Sequence, residues 1–200
     1  MRESTRARRI SLRALPDASI EVVVPRGTSA RHVDRAIGDA KPWIERVRQR
    51  RAQAPTLGLA QRGVVWRHEL AEASEATTVR AVVEQYRRFT RDFLDLTVPE
   101  TAARMAVQPV RWGVRSATGR WGSCTHARRT LSFNWRLSLI PAATASHVVV
   151  HELAHLRHPN HGADFWALVH DHDPQTTEHR SWLRTYGAEV MGYDPAVAIR

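Results

Sequence analysis

The 200-residue sequence has a single cysteine, Cys124, and a single lysine, Lys41. One cysteine excludes an internal disulfide framework and gives no reason to place the protein outside the cell. No segment approaches the ~18 consecutive apolar residues that a membrane-spanning helix needs. The arginine-rich start has no apolar segment after it, which argues against a secretory signal. We therefore expect a cytoplasmic protein with no membrane association, in which Cys124 is a buried packing residue.

Basic residues outnumber acidic ones by 30 to 20, and all but Lys41 are arginine. Residues 1–51 hold thirteen of the basic and six of the acidic side chains, so most of the net charge of +10 lies there. Such a cluster can bind the phosphates of a nucleic acid. Aromatic residues for base stacking are scarce around it, apart from Trp43. We favour a solvated surface and keep DNA or nucleotide binding as an alternative.

Hydrophobic periodicity predicts strands and helices in an irregular order. Alternation over 10–14 and 20–24 predicts a β-hairpin. Two helices, 28–38 and 42–53, should follow, separated by Gly38 and Pro42. After residue 75 the sequence predicts an amphipathic helix that ends before Pro99. Steps of three and four place its apolar residues on one face: Val79, Val82, Val83, Tyr86, Phe89, Phe93 and Leu96. Strands should follow near 106–115 and 129–135, with Gly119, Gly122 and Ser123 in a loop or tight turn between them, and then helices from Pro141 through Leu156, over 162–171 and over 174–190.

The mixture of strands and helices without regular alternation predicts an α+β fold. We divide the chain into an N-terminal lobe with a β-hairpin and helices (1–53), a linker-like segment (54–75) and a core that carries the chemistry (76–200). The core and the lobe are expected to form one compact unit.

The segment His151-Glu152-Leu153-Ala154-His155 carries the clearest chemical signal. Residues four apart in a helix lie on one face about 6 Å apart along the axis, so both imidazoles can reach one zinc ion. Glu152 lies beside the first of them, where it can take a proton from a zinc-activated water. The flanking residues are apolar, which predicts a buried helix. The pattern therefore favours a zinc-dependent hydrolase.

A catalytic zinc ion needs a third protein ligand. We favour His161, because Pro159 and Gly162 end the helix and let the chain fold back. The alternatives are His158, Asp164, His170 and His172. The cluster at 170–173 has two interpretations, an adventitious metal site and a solvated helix end, and we favour the second.

Three segments together resemble the YgjP-like metallopeptidase domain family: HELAHLRHPNHGADFW at 151–166, RWGSC at 120–124 and LSFNWRLSLIP at 131–141. This family belongs to the zincin group and is related to the SprT-like and WLM metalloproteases. The resemblance implies a small mixed β-sheet packed on the motif helix. It also implies one zinc ion on His151, His155 and His161, with Glu152 as general base and acid.

Arg120 and Asn134 are candidate contacts to the substrate or to a developing oxyanion. The favoured interpretation of Arg120 is structural, as a residue that holds its loop over the motif helix, and Asn134 can equally satisfy buried carbonyls. Phe165 and Trp166 should pack behind His161. We predict a metallopeptidase that acts on peptides or proteins. A nucleotide phosphoanhydride hydrolase with the same site and a DNA-associated, SprT- or WLM-like protease are the alternatives.

Overall fold

A computed structural model describes residues 1–14, 19–53, 56–59, 64–66, 69–71 and 78–198. Its internal contacts divide the chain into two units, Met1–Thr56 and Leu57–Arg200. No helix among the described residues has both the length and the apolar character needed to cross a membrane.

The first unit is a three-stranded sheet with one helix. Its elements are β1 (Arg2–Ser4), β2 (Ser11–Ala14), β3 (Ile20–Pro25) and α1 (Ala30–Ala52). Strand β3 is central and pairs antiparallel with β2, which confirms the predicted hairpin; its turn lies outside the described residues. Strand β1, which pairs parallel with β3, was not predicted. Val22, Val24 and Val33 form the small core of this unit.

The prediction of two helices in the first unit is wrong. Helix α1 runs without interruption from Ala30 to Ala52, with Pro42 inside it. A proline removes one backbone donor, and a glycine such as Gly38 costs about 1 kcal/mol relative to alanine. These two local costs do not divide a helix in which the remaining residues keep their hydrogen bonds.

The second unit holds the motif. Its elements are β4 (Val64–Trp66), β5 (Glu69–Ala71), α2 (Val79–Arg104), β6 (Arg111–Arg115), β7 (Gly122–Thr125), β8 (Thr130–Asn134), α3 (Ala142–Ala154), α4 (Ala163–His172), α5 (Thr176–Gly192) and α6 (Pro195–Ala198). Two short 3-10 helices, His126–Arg128 and Trp135–Leu139, flank β8. Helices α3, α4 and α5 confirm the last three predicted helices to within a few residues.

The sheet next to α3 is small and mixed. Strand β8 lies in its centre, with β6 parallel on one side and β7 antiparallel on the other. Gly122 and Ser123 belong to β7, so the prediction of a loop at these two residues is wrong. They are held in the sheet by pairing with Phe133 and Ser132 of β8. Such pairing between strands cannot be predicted from a glycine-rich segment alone. The fold is a mixed α+β arrangement.

Helix α2 buries the predicted apolar face in part: Val82 and Tyr86 are buried, and Val83, Phe89 and Phe93 pack partly buried against the core. Its buried side chains follow a step of four: Val82, Tyr86, Thr90, Leu94 and Val98. Leu96, which the periodicity places on the apolar face, is 77% exposed. The helix also continues past Pro99 to Arg104, contrary to prediction, because Thr101 and Ala102 of its last turn are packed in the core.

Residues 57–59, the first of the second unit, lie beside α5. The backbone N–H groups of Leu57 and Leu59 both donate to the carboxylate of Glu189, at 2.6 and 2.8 Å. The Leu59 side chain is buried in the core. The remainder of the predicted linker-like segment, except strands β4 and β5, lies outside the described residues.

Candidate metal centre

Helix α3 presents His151 and His155 on one face. Their ring centroids lie 5.0 Å apart, as a spacing of four residues on a helix requires. The rest of the helix is nearly all buried, with Val148, Val149 and Val150 before the pair and Leu153 and Ala154 within it. The burial fixes the helix, so the two imidazoles are held in place by the core behind them.

His161 joins this pair from the loop between α3 and α4. After Ala154 the chain makes tight turns, in which the N–H groups of Arg157 and His158 bond to the Ala154 carbonyl. His161 then returns, so that its Nε2 lies 3.1 Å from Nε2 of His151. Its ring centroid is 4.7 Å from that of His155. The three sequence-predicted ligands are therefore brought together.

The alternative third ligands lie elsewhere. Among the described residues, two groups bring together three or more possible ligand atoms: His151, His155 and His161, and a second group of His147, Asp173 and His179. Neither group contains His158, Asp164, His170 or His172. The carbonyl of His158 instead accepts a hydrogen bond from Nδ1 of His155, at 3.1 Å.

Aromatic packing and this hydrogen bond orient the three rings. The ring of Phe165 is fully buried, and its centroid lies between 4.6 and 4.9 Å from those of all three histidines. Trp166 stacks on His161, with centroids 5.8 Å apart. Nδ1 of His155 donates its proton to the His158 carbonyl, so the lone pair that can bind a metal is on Nε2. A hydrogen bond of this kind commonly supports a metal-ligating histidine.

The donor set fits a zinc ion. Burial, followed by the neighbouring His155 and His161, lowers the pKa of His151 to about 3, and burial also lowers the pKa of His155. These rings are therefore neutral near pH 7, as a metal ligand must be. The 3.1 Å between the two Nε2 atoms is close to the roughly 3.3 Å expected for two nitrogens at tetrahedral zinc bond lengths.

Glu152 is buried next to this centre. Its side chain is 7% exposed, and burial raises its pKa to about 7, with Arg120 acting in the opposite direction. Strand β7 presses against it, because a Cβ atom on Gly122 would lie 2.6 Å from the Glu152 Cγ. Glycine at this position is what lets the carboxylate lie between the helix and the sheet.

A cleft of about 390 Å³ opens beside Glu152 and His151. Arg120 lines it from the loop before β7, and Arg180 lines it from α5. The guanidinium of Arg180 lies 4.0 Å from the centroid of the Trp166 ring. The walls therefore carry two positive charges next to the proposed ligands.

Asn134 holds the loop before β7. It is 2% exposed, and its amide nitrogen donates to the carbonyls of Ala117 and Arg120, at 2.8 and 3.0 Å. Its oxygen accepts from the N–H of Arg136. These bonds support the alternative in which Asn134 satisfies buried carbonyls, and through them it positions Arg120.

The sequence analysis missed the second group. Asp173 is only 9% exposed, so the interpretation of 170–173 as a solvated helix end is wrong at this residue. Its carboxylate lies 2.6 Å from Nδ1 of His147 and 3.1 Å from Nδ1 of His179. One signal in the sequence could have indicated this group: His147 lies four residues before His151, on the same face of the helix.

The second unit is mixed α+β, and its three imidazoles converge beside a buried glutamate. These features place the protein in the class of candidate metal-dependent hydrolases. Residues 55–186, about two thirds of the chain, match the family model of the YgjP-like metallopeptidase domain. The chain therefore belongs to the YgjP-like metallopeptidase domain family. No curated protein and no solved structure matches it.

Proposed function

We propose that the protein is a zinc-dependent metallopeptidase with a zincin-like core. In this proposal His151, His155 and His161 hold one zinc ion, and Glu152 is the general base and acid. The observation that carries it is the convergence of the three imidazoles beside a buried carboxylate, within a chain of a metallopeptidase family. The expected substrates are peptides or proteins.

Each group has a separate task in peptide hydrolysis. A bound zinc ion supplies Lewis-acid polarisation and lowers the pKa of water. Glu152 accepts the proton of the attacking water and returns it to the leaving amine, the two transfers of general base and general acid catalysis. Phe165 and the His158 carbonyl keep the imidazoles oriented.

Glu152→Gln tests the chemistry, because it keeps the size of the side chain and removes the base. We expect the metal content to be unchanged and the hydrolysis of unfolded polypeptides to fall by about 10²–10⁴-fold. Metal analysis and a peptide-cleavage assay measure the two quantities. Full activity of this variant would contradict the mechanism.

His161→Ala tests the ligand set in the same assays. We expect it to lose one equivalent of zinc, whereas His158→Ala should retain it, because only the backbone carbonyl of His158 is used. Unchanged metal content in the His161 variant would assign the third ligand elsewhere.

The two arginines of the cleft favour a second candidate, hydrolysis of nucleotide phosphoanhydrides at the same site. Arg120 and Arg180 are both exposed in the cleft wall and can hold a phosphate. An imidazole donor set still favours zinc over magnesium. Nucleoside triphosphates screened beside unfolded polypeptides distinguish the two substrates.

A DNA-associated protease is a third candidate, based on the basic excess of residues 1–51. It requires DNA affinity that falls with salt and proteolysis that DNA stimulates. Proteolysis that is unchanged by DNA at low salt would contradict this candidate and leave the metallopeptidase proposal intact.

A further inference from the structure

We propose that His147, Asp173 and His179 form a second metal-binding site, which takes zinc or a similar divalent transition-metal ion. It shares no residue with the ligand set His151, His155 and His161. The inference goes beyond the proposed function and does not require it.

Three helices bring these side chains together. His147 lies on α3, Asp173 directly follows α4, and His179 lies near the start of α5. Both imidazoles direct the same atom, Nδ1, at the Asp173 carboxylate, at 2.6 Å from His147 and 3.1 Å from His179. The three ligand atoms all lie within 4.8 Å of one another.

The Asp173 carboxylate is buried and ionised. Burial alone would raise its pKa, but hydrogen bonds from His179, His147 and the Thr176 hydroxyl outweigh burial and lower it. A buried negative charge is stabilised by a cation, provided that the cation has further ligands. Arg180, whose positive charge acts on His147 and would oppose such a cation, is exposed and lies over Trp166.

The chemistry of the donors selects the kind of ion. Two imidazole nitrogens and one carboxylate oxygen are a ligand set of zinc and neighbouring transition metals. Calcium and magnesium prefer sets made of oxygen atoms. Water or the Thr176 hydroxyl, 3.1 Å from the carboxylate, is available as a further oxygen.

Metal binding needs only that a proton leaves Nδ1 of each ring. Without an ion, each Nδ1–H donates to the carboxylate. With an ion, Nδ1 of each ring binds the metal, and the proton it carried leaves that nitrogen for Nε2 of the same ring or for solvent. The residues that form hydrogen bonds in one state are therefore the ligands in the other.

A second ion would fix one wall of the cleft. His147 lies one helical turn before His151, with ring centroids 6.2 Å apart, and it lines the cleft together with Arg180. An ion bound by α3, α5 and the end of α4 would cross-link the elements that carry His151, Trp166 and Arg180. Its role would be positional, since none of its ligands belongs to the proposed catalytic set.

The test counts zinc ions on the full chain after chelation and reloading, by native mass spectrometry and calorimetric titration. We expect two equivalents for the unaltered protein. Asp173→Asn and His179→Gln should each retain one, and His161→Ala should lose the other. His170→Ala is the matched control, because His170 is an exposed histidine of α4 that belongs to neither group, and it should retain two.

Two outcomes would overturn the inference. A single equivalent, lost only in the His161 variant, would mean that His147, Asp173 and His179 are a hydrogen-bonded cluster, while the catalytic proposal survives. Two equivalents that persist in folded Asp173→Asn would place the second ion elsewhere. If that variant does not fold, ¹⁵N spectra of the histidines decide: the second equivalent should shift Nδ1 of His147 and His179, and unshifted Nδ1 signals reject the site.

Discussion

At the scale of single residues, the contact between Gly122 and Glu152 controls the position of the proposed catalytic carboxylate. Gly122 lies in the edge strand β7, and the atoms that a Cβ would meet are Cγ, Cδ and Oε1 of Glu152, at 2.6–2.8 Å. A real Cβ atom essentially never approaches another heavy atom this closely, so one of the two groups must move when a side chain is added.

Gly122→Ala should therefore displace Glu152 and reduce peptide hydrolysis by at least tenfold, while zinc stays bound because the three histidines are untouched. Gly113→Ala is the control, since Gly113 lies in β6 of the same sheet and a Cβ there meets no atom within 4 Å. Activity assays and metal analysis of both variants give the comparison. Equal activity of the two would show that the carboxylate does not need its present position.

Glu152 also makes the stability of the metal-free protein depend on pH. Its pKa is raised from 4.5 to about 7 in the folded state, so between these values the folded protein holds a proton that the unfolded chain has lost. The Glu152 contribution to stability is fully present below pH 4.5 and is lost as the pH rises through 7.

Urea unfolding of the metal-free protein and of Glu152→Gln across pH 4.5–7 measures this contribution. The unfolding free energy of the unaltered protein, minus that of the variant, should fall as the pH rises, by up to about 1.4 kcal/mol per pH unit. A flat difference for Glu152→Gln would contradict the raised pKa.

At the scale of elements, two helices contain a proline far from their first turn. Pro42 lies inside α1 and Pro99 inside α2. Each removes a backbone hydrogen bond and crowds the carbonyl four residues earlier. Helix α2 persists because its packing offsets that cost: Val98, Thr101 and Ala102 are buried around Pro99.

Pro99→Ala should consequently stabilise the protein. Restoring the donor gains more than the added freedom of the unfolded chain costs, and the net increase in unfolding free energy should be about 1–2 kcal/mol. Pro141→Ala is the control: Pro141 is the N-cap of α3, where no internal helix bond is missing, and no gain is expected. Denaturant unfolding measures both, and a destabilised Pro99 variant would contradict the argument.

The elements that could be predicted from the sequence are those with local signals. Strong periodicity gave α3, α4, α5 and the hairpin β2–β3, and the spacing of His151, Glu152 and His155 placed them on one helix. Strands β1 and β7 were not predicted, because both are short and depend on pairing with a neighbouring strand. The His147–Asp173 contact joins residues 26 positions apart in the chain, and only tertiary packing creates it.

At the scale of the whole molecule, all the proposed ligands lie in the second unit. Zinc that binds only the folded state adds to the stability of that state. Its removal should therefore loosen the segment from His155 to Ala163, which joins two ligands across the turn after α3. Strand β3 and helix α1 of the first unit contain no proposed ligand.

Hydrogen exchange with and without a chelator tests this distribution. We expect faster exchange after chelation in α3, α4 and the turn between them, and unchanged exchange in β3 and α1. The His161→Ala variant, treated in the same way, should respond less. Exchange that increases equally in both units would show that metal binding is not confined to the second.

The two hydrogen bonds from the Leu57 and Leu59 N–H groups to Glu189 have a consequence for shortening the chain. They attach the first residues of the second unit to its last long helix, 132 and 130 positions later. A truncated protein that begins at residue 55 retains both donors, whereas one that begins at residue 60 loses them together with the buried Leu59 side chain. The shortest form that folds by itself is therefore expected to start before Leu57, ahead of the first strand of that unit.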